Sequence, residues 1–207
     1  MTVIYLARHA ETVLNANARM QGNAAHTPLT RAGIAQAEAM GAVLAEHFAG
    51  DPPPIWASPA GRVLQTVAII AEHLGVRFFD VRTDERLREI EIGDWVGRDY
   101  ADIQAELGTF VCPDRRLFTV PPPNGEWYPA IAERVAEWWA ERTEERVLVV
   151  SHGITARVLR GHLAGGNDWH GVPVADDVPQ GSIVRIEGER ESVLHVGAGA
   201  HGVRQGY

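Results

Sequence analysis

Residues 146–153 read RVLVVSHG and contain the clearest pattern of a buried strand in the chain. The unbroken aliphatic run at residues 147–150 predicts a strand over residues 146–151 that is buried on both faces. Residues 2–10 read TVIYLARHA and repeat the arrangement, with a short buried strand predicted over residues 2–7. Strands buried on both faces are typical of parallel sheets, in which ligands bind at the carboxyl ends of the strands.

Outward from these two strands, helix and strand patterns alternate along the chain. Apolar residues at helical spacing predict helices at residues 30–48, 62–74, 99–107, 130–142 and 154–163. Short apolar runs predict further strands at residues 55–57 and 76–82, and SIVRIEG with SVLHVG predicts a closing hairpin or adjacent strand pair. The pattern predicts an α/β fold, a three-layer αβα sandwich with helices on both faces of a mostly parallel sheet of about six strands.

The domain organisation follows from the length of 207 residues, which suits one domain over residues 1–207. Residues 108–127 show no clear period and contain three consecutive prolines. A structureless loop of that length is uncommon in a compact domain. We therefore expect a lid-like insertion around residues 95–127.

Composition and charge exclude several classes of protein. The formal net charge is −8 with no basic stripe, so we expect no nucleic-acid partner. No apolar run is long enough to span a bilayer, so we expect no membrane partner. The single cysteine, Cys112, and an N-terminus without signal-peptide features predict a cytoplasmic protein. The sequence carries no signature of the oligomeric state.

Two histidines mark the candidate site. His9 and His152 each follow a predicted buried strand, and each precedes a small residue, Ala10 or Gly153. A single histidine in such a place is more often a hydrogen-bonded residue at a strand end. Two in matching positions favour a functional site, because the carboxyl ends of parallel strands meet at one edge of the sheet.

Charged residues near these histidines indicate phosphate as the ligand. Arg8 ends an otherwise apolar strand, and Arg62 opens the helix after the second strand. The guanidinium fork donates two parallel hydrogen bonds to phosphate oxygens. Glu89 lies in LREIEIGDW after the third strand, with Glu91 as the alternative carboxylate. We expect no metal site, since His162 and His170 are too far apart to share one helical face.

Five segments in order resemble the histidine phosphatase superfamily, the phosphoglycerate mutase-like proteins. They are RHAETVLN from Arg8, QGNAAHTPLTRAGIAQA from Gln21, SPAGRVLQT around Arg62, LREIEIGDWVG around Glu89, and VVSHG ending at Gly153. Together they span most of the chain. RHAET, with Glu11, is similar to the phosphatase branch of that family.

The resemblance implies a histidine acid-type phosphatase that hydrolyses a small soluble phosphate ester without a metal or cofactor. His9 is the implied nucleophile, with its second ring nitrogen held by the main-chain carbonyl at position 10. Glu89 is the implied acid, which then activates water. The implied phosphate-binding and pocket residues are Arg8, Arg62, His152, Asn15, Gly153, Gln21, Gly22 and Thr12.

Three residues depart from the family pattern. Ala10 replaces the usual glycine, and its carbonyl can still orient the His9 ring. His26 stands where aspartate is usual, and Trp127 follows NGE where serine is usual. We expect the last two near the mouth of the site, where they bear on substrate identity more than on chemistry.

Two alternatives stay open. A mutase of the same family would pass the phosphoryl group to a second acceptor instead of water, although mutases of that family carry longer insertions. A catalytically inactive binding or regulatory module is the third interpretation. The presence of both histidines, both arginines and Glu89 argues against it.

Overall fold

A six-stranded sheet forms the centre of the molecule, in a computed structural model that describes residues 2–199. Residue 1 and residues 200–207, which include the end of the expected domain, lie outside the described part. The sheet contains β1 (Val3–Arg8), β2 (Ile55–Ala57), β3 (Arg82–Thr83), β4 (Arg146–Ser151), β7 (Ile183–Glu187) and β8 (Arg190–His195). A separate hairpin contains β5 (Asn167–Trp169) and β6 (Val172–Val174).

The strand order is β3-β2-β4-β1-β7-β8. The first four strands are parallel, whereas β7 and β8 are antiparallel additions. The expected mostly parallel sheet of about six strands is therefore confirmed. Arg8 pairs with Ser151 across β1 and β4, so the histidine that follows each strand lies at the same edge.

Helices cover both faces of the sheet, which confirms the three-layer arrangement. The helices are α1 (Val13–Ala16), α2 (Arg31–Phe48), α3 (Gly61–Leu74), α4 (Tyr100–Leu107), α5 (Tyr128–Ala140) and α6 (Gly153–Ala164). Because side chains alternate along a strand, Ile4 and Leu6 of β1 join the core with α5 and α6. Tyr5 and Ala7 join the second core, with α2 and α3.

Local chemistry explains where the helices begin and end. Thr30 is the N-cap of α2, and its Oγ1 accepts a hydrogen bond from the Gly33 amide at 2.9 Å. Gly75 ends α3 in the left-handed conformation at φ +65°, as the sequence predicts. The helices expected at residues 99–107, 130–142 and 154–163 are present with ends shifted by one or two residues.

The prediction of a strand over residues 76–82 is wrong. A 3₁₀ turn occupies Phe78–Asp80, and only Arg82–Thr83 joins the sheet. β3 is the sheet's edge strand and pairs with just two residues of β2. The apolar run therefore lacks a sheet neighbour on its outer side, and Phe79 is 94% exposed. Helix α1 and the β5–β6 hairpin were not predicted from the sequence.

The segment expected as a lid is packed, not structureless. An isolated bridge joins Val111 and Phe118, and the amide of Thr119 donates to the Phe110 carbonyl at 2.9 Å. Phe110 and Phe118 are buried against Trp95. The action of this segment as a lid stays a prediction.

No helix within residues 2–199 has the length and apolar character that crossing a membrane requires.

Candidate active site

A pocket of about 750 Å³, including its opening to solvent, lies at the carboxyl ends of β1 and β4. The ten candidate residues predicted from the sequence lie together here. Seven line the pocket, namely Arg8, His9, Asn15, Gln21, Gly22, Glu89 and Gly153. The other three, Thr12, Arg62 and His152, are buried directly behind this wall and bond to residues in it or to one another.

The hydrogen bonds of His9 fix the state of its ring. Nδ1 lies 2.8 Å from the Ala10 carbonyl oxygen, the contact that the sequence predicts. A carbonyl can only accept, so Nδ1 carries the proton and Nε2 is unprotonated. Arg62 Nε donates to His9 Nε2 at 3.3 Å, which agrees with that assignment. Burial, followed by the charges of Arg62 and Arg8, holds the pKa of His9 well below its ordinary value.

His152 lies beside His9, with ring centroids 5.2 Å apart. Arg62 Nη2 donates to His152 Nδ1 at 2.9 Å, so the proton of the neutral ring lies on Nε2, 2.7 Å from Ser58 Oγ. Burial, followed by the charges of Arg62 and His9, lowers the pKa of His152 well below its ordinary value. The neutral ring donates to Ser58 here, and its contact with a phosphoryl group stays a prediction.

Arg62 joins the two histidines. Its guanidinium also donates to the carbonyl oxygens of Ala24 and Gly22, both at 2.7 Å. Burial lowers the pKa of Arg62 to about 10, so the group remains charged at neutral pH. The two carbonyls and two imidazoles are neutral partners, and the positive charge of Arg62 is therefore available to attract an anion.

Arg8 supplies the second positive charge of the pocket. Its Nη1 donates to the Val178 carbonyl at 3.2 Å and lies 3.8 Å from an Asp177 carboxylate oxygen. Within the described residues, the buried Nε of Arg8 has no hydrogen-bond acceptor. A Cβ at Gly153 would lie 3.2 Å from the guanidinium carbon of Arg8, so glycine allows the close approach. An unsatisfied buried donor beside a pocket suits an oxyanion ligand.

The side chain of Glu89 lies against the first turn of α6. Its carboxylate accepts hydrogen bonds from the amides of Ile154 and Thr155, at 3.2 and 3.0 Å. The Thr155 hydroxyl lies 3.1 Å from the same carboxylate. Glu91, the alternative carboxylate, instead accepts from Asn23 Nδ2 at 3.3 Å and lies outside the pocket wall.

Thr12, Asn15 and Gln21 form one hydrogen-bonded group. Thr12 is the N-cap of α1, where Asn15 completes a capping box. Thr12 Oγ1 lies 2.5 Å from Gln21 Oε1. These bonds occupy Asn15 Oδ1, so the group that Asn15 can offer an anion is its Nδ2 amide.

Several pocket residues were missed by the sequence analysis, namely Tyr100, Arg157, Asp177 and Gln180. They lie on α4, on α6 or in the loop before β7, where the sequence carries no site pattern. Arg116 and Phe118 also line the pocket and fall within the segment expected as a lid.

The two departures expected at the mouth do not line the pocket of the described chain. The Trp127 ring packs on Tyr128 and His170, with centroids 4.7 and 5.0 Å apart. His26 is exposed. Arg19 and Arg116, by contrast, do line it.

The arrangement suits phosphoryl transfer to an imidazole. It combines an unprotonated nitrogen, the positive charges of Arg8 and Arg62 beside it, amide donors and a carboxylate. Within residues 2–199, no three histidine, cysteine or acidic side chains form a group that could hold a metal ion.

Comparisons with known proteins agree with this chemistry. The family model described as histidine phosphatase superfamily (branch 1) matches residues 4–198. A glucosyl-3-phosphoglycerate phosphatase from Mycobacterium tuberculosis is 33% identical over 162 residues, which are 72% of this chain and 70% of that protein. A 2,3-bisphosphoglycerate-dependent phosphoglycerate mutase from Methylobacterium is 32% identical over 188 residues, 83% of this chain and 89% of that protein.

Solved structures show the same fold. The alpha-ribazole phosphatase from Shigella flexneri superposes with a TM-score of 0.72 at 25% identity, covering 99% of this chain and 100% of that one. The match extends over the sheet and both helical layers.

Proposed function

Since this chain belongs to the histidine phosphatase superfamily, we propose that it hydrolyses a small soluble phosphate monoester through a phosphohistidine on His9. The observation that carries the proposal is the hydrogen bond from His9 Nδ1 to the Ala10 carbonyl, which leaves Nε2 unprotonated in the pocket wall. An imidazole attacks phosphorus only in this form.

In the first step, His9 Nε2 attacks phosphorus and forms an N–P bond while the P–O bond to the alcohol breaks. The protonated carboxyl of Glu89 gives its proton to the departing oxygen, so the alcohol leaves neutral. The position of Glu89 in the pocket wall supports this role.

In the second step, water attacks the phosphohistidine. The Glu89 carboxylate takes a proton from that water, the N–P bond breaks, and inorganic phosphate leaves. His9 regains its unprotonated Nε2, and Glu89 regains its proton.

Charge on the transferring group is balanced by side chains of this chain in the proposed mechanism. We assign Arg8 and Arg62 to the phosphoryl oxygens, together with His152, Asn15 and the Gly153 amide. Preorganised donors of this kind are worth about 3–4 kcal/mol each in known enzymes. Hydrolysis is therefore expected to proceed without a divalent cation.

Dialysis against a chelator tests the proposed metal independence. The rate of hydrolysis should remain nearly unchanged after dialysis. A loss of activity that added magnesium or zinc restores would contradict the assignment of this work to arginines.

The names of the relatives support a small phosphorylated substrate, since the phosphatases are named for glucosyl-3-phosphoglycerate and alpha-ribazole phosphate chemistry. Mutase activity is the second candidate, because one relative is a phosphoglycerate mutase. Incubation with 3-phosphoglycerate and a bisphosphoglycerate primer separates the two activities. The net charge of −8 argues against nucleic acid as a partner, and the single Cys112 suits a cytoplasmic location.

Labelling tests the proposed intermediate. Rapid quench without acid, after mixing with ³²P-labelled substrate, should leave label on the protein that is stable in base and labile in acid. His9→Ala should abolish both label and turnover. His162→Ala, a change at an exposed histidine outside the pocket, is the matched control and should retain both. Label that persists in His9→Ala would place the intermediate on another residue.

A further inference from the structure

Gln180 is a buried amide in the pocket wall that the proposed chemistry leaves without a task. It lies in the loop before β7 and is 1% exposed. Its Nε2 donates to Asn15 Oδ1 at 2.7 Å. Gln180 is therefore hydrogen-bonded directly to Asn15, which is assigned to the phosphoryl oxygens.

The bonds of Asn15 determine which end of the Gln180 amide is nitrogen. The main-chain N–H of Thr12 can only donate, and it donates to Asn15 Oδ1 at 3.3 Å. That Asn15 atom is therefore oxygen and can only accept. The Gln180 atom beside it must consequently be the donor Nε2, and the other end of the amide is Oε1.

Gln180 Oε1 is an acceptor without a donor. It is buried, and no donor within the described residues bonds to it. Leaving a buried acceptor unpaired costs about 1–3 kcal/mol, so native proteins rarely keep one without a use. A phosphate dianion only accepts hydrogen bonds and cannot pair with Oε1, whereas a hydroxyl on another part of a ligand can donate to it.

The glycine-rich end of the described chain holds Gln180 in place. The Gly199 amide donates to the Gln180 carbonyl at 3.2 Å, and the Gly197 amide donates to Ser182 Oγ at 2.8 Å. A Cβ at Gly197 would lie 2.0 Å from the Gln180 carbonyl oxygen, and one at Gly199 would lie 2.5 Å from Gln180 Cβ. Only glycine permits this approach, which fixes the main chain that carries Gln180.

We propose that Gln180 Oε1 accepts a hydrogen bond from a hydroxyl on the alcohol part of the substrate. The enzyme then favours phosphate esters of diols, polyols or sugars that carry a free hydroxyl near the esterified carbon. Gln180 bonds directly to Asn15, so the acceptor lies near the assigned phosphoryl site. The inference rests on the proposed function, which assigns Asn15 to the phosphoryl group.

Two substrates that differ in one hydrogen-bond donor test the proposal. These are 2-hydroxyethyl phosphate and 2-methoxyethyl phosphate, whose leaving oxygens are similarly basic. The wild-type protein should favour the hydroxyl compound by roughly 10-fold in kcat/KM, which corresponds to one hydrogen bond to a buried acceptor. Gln180→Met removes the acceptor at similar size and should bring the ratio near one. Gln104→Met, at an exposed glutamine on α4, is the matched control and should keep the wild-type ratio.

The outcomes separate this inference from the proposed function. A wild-type protein that hydrolyses both esters at equal kcat/KM overturns the role of Gln180 and leaves the phosphatase intact. A protein that hydrolyses none of these compounds, including p-nitrophenyl phosphate, would contradict the proposed phosphatase activity. A hydroxyl preference that survives in Gln180→Met also overturns the inference. If that variant does not fold, Gln180→Leu removes the same acceptor and should also bring the ratio near one; a wild-type ratio there overturns the inference.

Discussion

At the scale of single residues, the two nitrogens of His9 have different tasks. The Ala10 carbonyl holds the proton on Nδ1, and the Arg62 guanidinium faces Nε2. The acceptor is a main-chain carbonyl, which alanine and glycine both provide. Ala10 can therefore orient the ring at a position where the family usually has glycine. The choice between Glu89 and Glu91, by contrast, could not be made from sequence spacing alone, and the structure separates them by what each carboxylate contacts.

The role of Glu89 is tested by how strongly the leaving group needs a proton. An alkyl phosphate leaves as a basic alkoxide, whereas nitrophenyl phosphate leaves as a stable phenolate. Glu89→Gln keeps the shape of the side chain but removes the transferable proton. Single-turnover kinetics should show phosphoenzyme formation from an alkyl phosphate slowed by about 10²–10⁴-fold, and far less from nitrophenyl phosphate. Breakdown of the phosphoenzyme should slow with both substrates.

Glu91→Gln is the matched control for this experiment, because the Glu91 carboxylate bonds to Asn23 outside the pocket wall. It should leave both steps nearly unchanged. If Glu91→Gln shows the leaving-group dependence and Glu89→Gln does not, the acid has been assigned to the wrong carboxylate. If neither variant shows it, Glu11 is the next carboxylate to test.

At the scale of helices and strands, the histidines that follow buried strands were predictable from the local pattern. The loop residues Gln21 and Gly22 were assigned from the family resemblance, and the loop residue Gln180 was missed. The aliphatic runs of β1 and β4 are visible in the sequence, and both histidines follow them directly. Gln180 reaches the pocket because β7 runs antiparallel to β1, which places the start of β7 beside the end of β1. That pairing joins segments distant in the chain, so no local pattern reports it. The strand expected at residues 76–82 failed because local apolarity does not say whether a sheet neighbour exists.

The contact between α5 and α6 yields a prediction about Glu89. Arg134 of α5 donates to Thr155 Oγ1 at 3.3 Å, and that hydroxyl lies 2.6 Å from the Arg88 carbonyl and 3.1 Å from the Glu89 carboxylate. Thr155→Val keeps the branched shape and removes these bonds. We expect alkyl phosphate hydrolysis to fall by roughly 10-fold, about the worth of one hydrogen bond to a charged group, with a smaller effect on nitrophenyl phosphate.

The measurement is kcat and KM on both substrates, with Thr143→Val as the control at an exposed threonine. A change in Glu89 position should alter kcat and the leaving-group dependence, whereas general loosening of the fold should slow both substrates equally. Equal slowing of the two substrates would therefore reject the positioning role of Thr155.

At the scale of the whole molecule, an acidic protein holds an anion site by concentrating its arginines. The net charge is −8, yet Arg8 and Arg62 are both buried at one edge of the sheet. Their field and their shared burial also keep His9 and His152 neutral in the folded state. The same arrangement that prepares the nucleophile therefore connects the free energy of unfolding to pH.

The sign of that connection follows from proton counting. In the unfolded chain both histidines titrate near their ordinary pKa of about 6.5. In the folded protein their pKa values are lowered, so below pH ~6.5 the unfolded state binds two protons that the folded state does not. The free energy of unfolding therefore loses nothing to these two histidines above their pKa in the unfolded chain, and it falls as the pH decreases below that value. Each histidine contributes a slope of up to about 1.4 kcal/mol per pH unit.

Removing one of the two histidines should remove its share of this slope. We expect the free energy of unfolding of His9→Asn, from urea titrations between pH 7.5 and 5.5 without phosphate, to depend on pH less steeply than that of the wild type. The difference should approach about 1.4 kcal/mol per pH unit at the acidic end. His195, whose pKa burial also lowers, is present in both proteins, and its contribution cancels. His162→Asn, at an exposed histidine, should reproduce the wild-type slope. An unchanged slope in His9→Asn would mean that His9 takes up a proton in the folded protein as readily as in the unfolded chain. The neutral nucleophile on which the phosphohistidine mechanism depends would then be absent in mildly acidic solution.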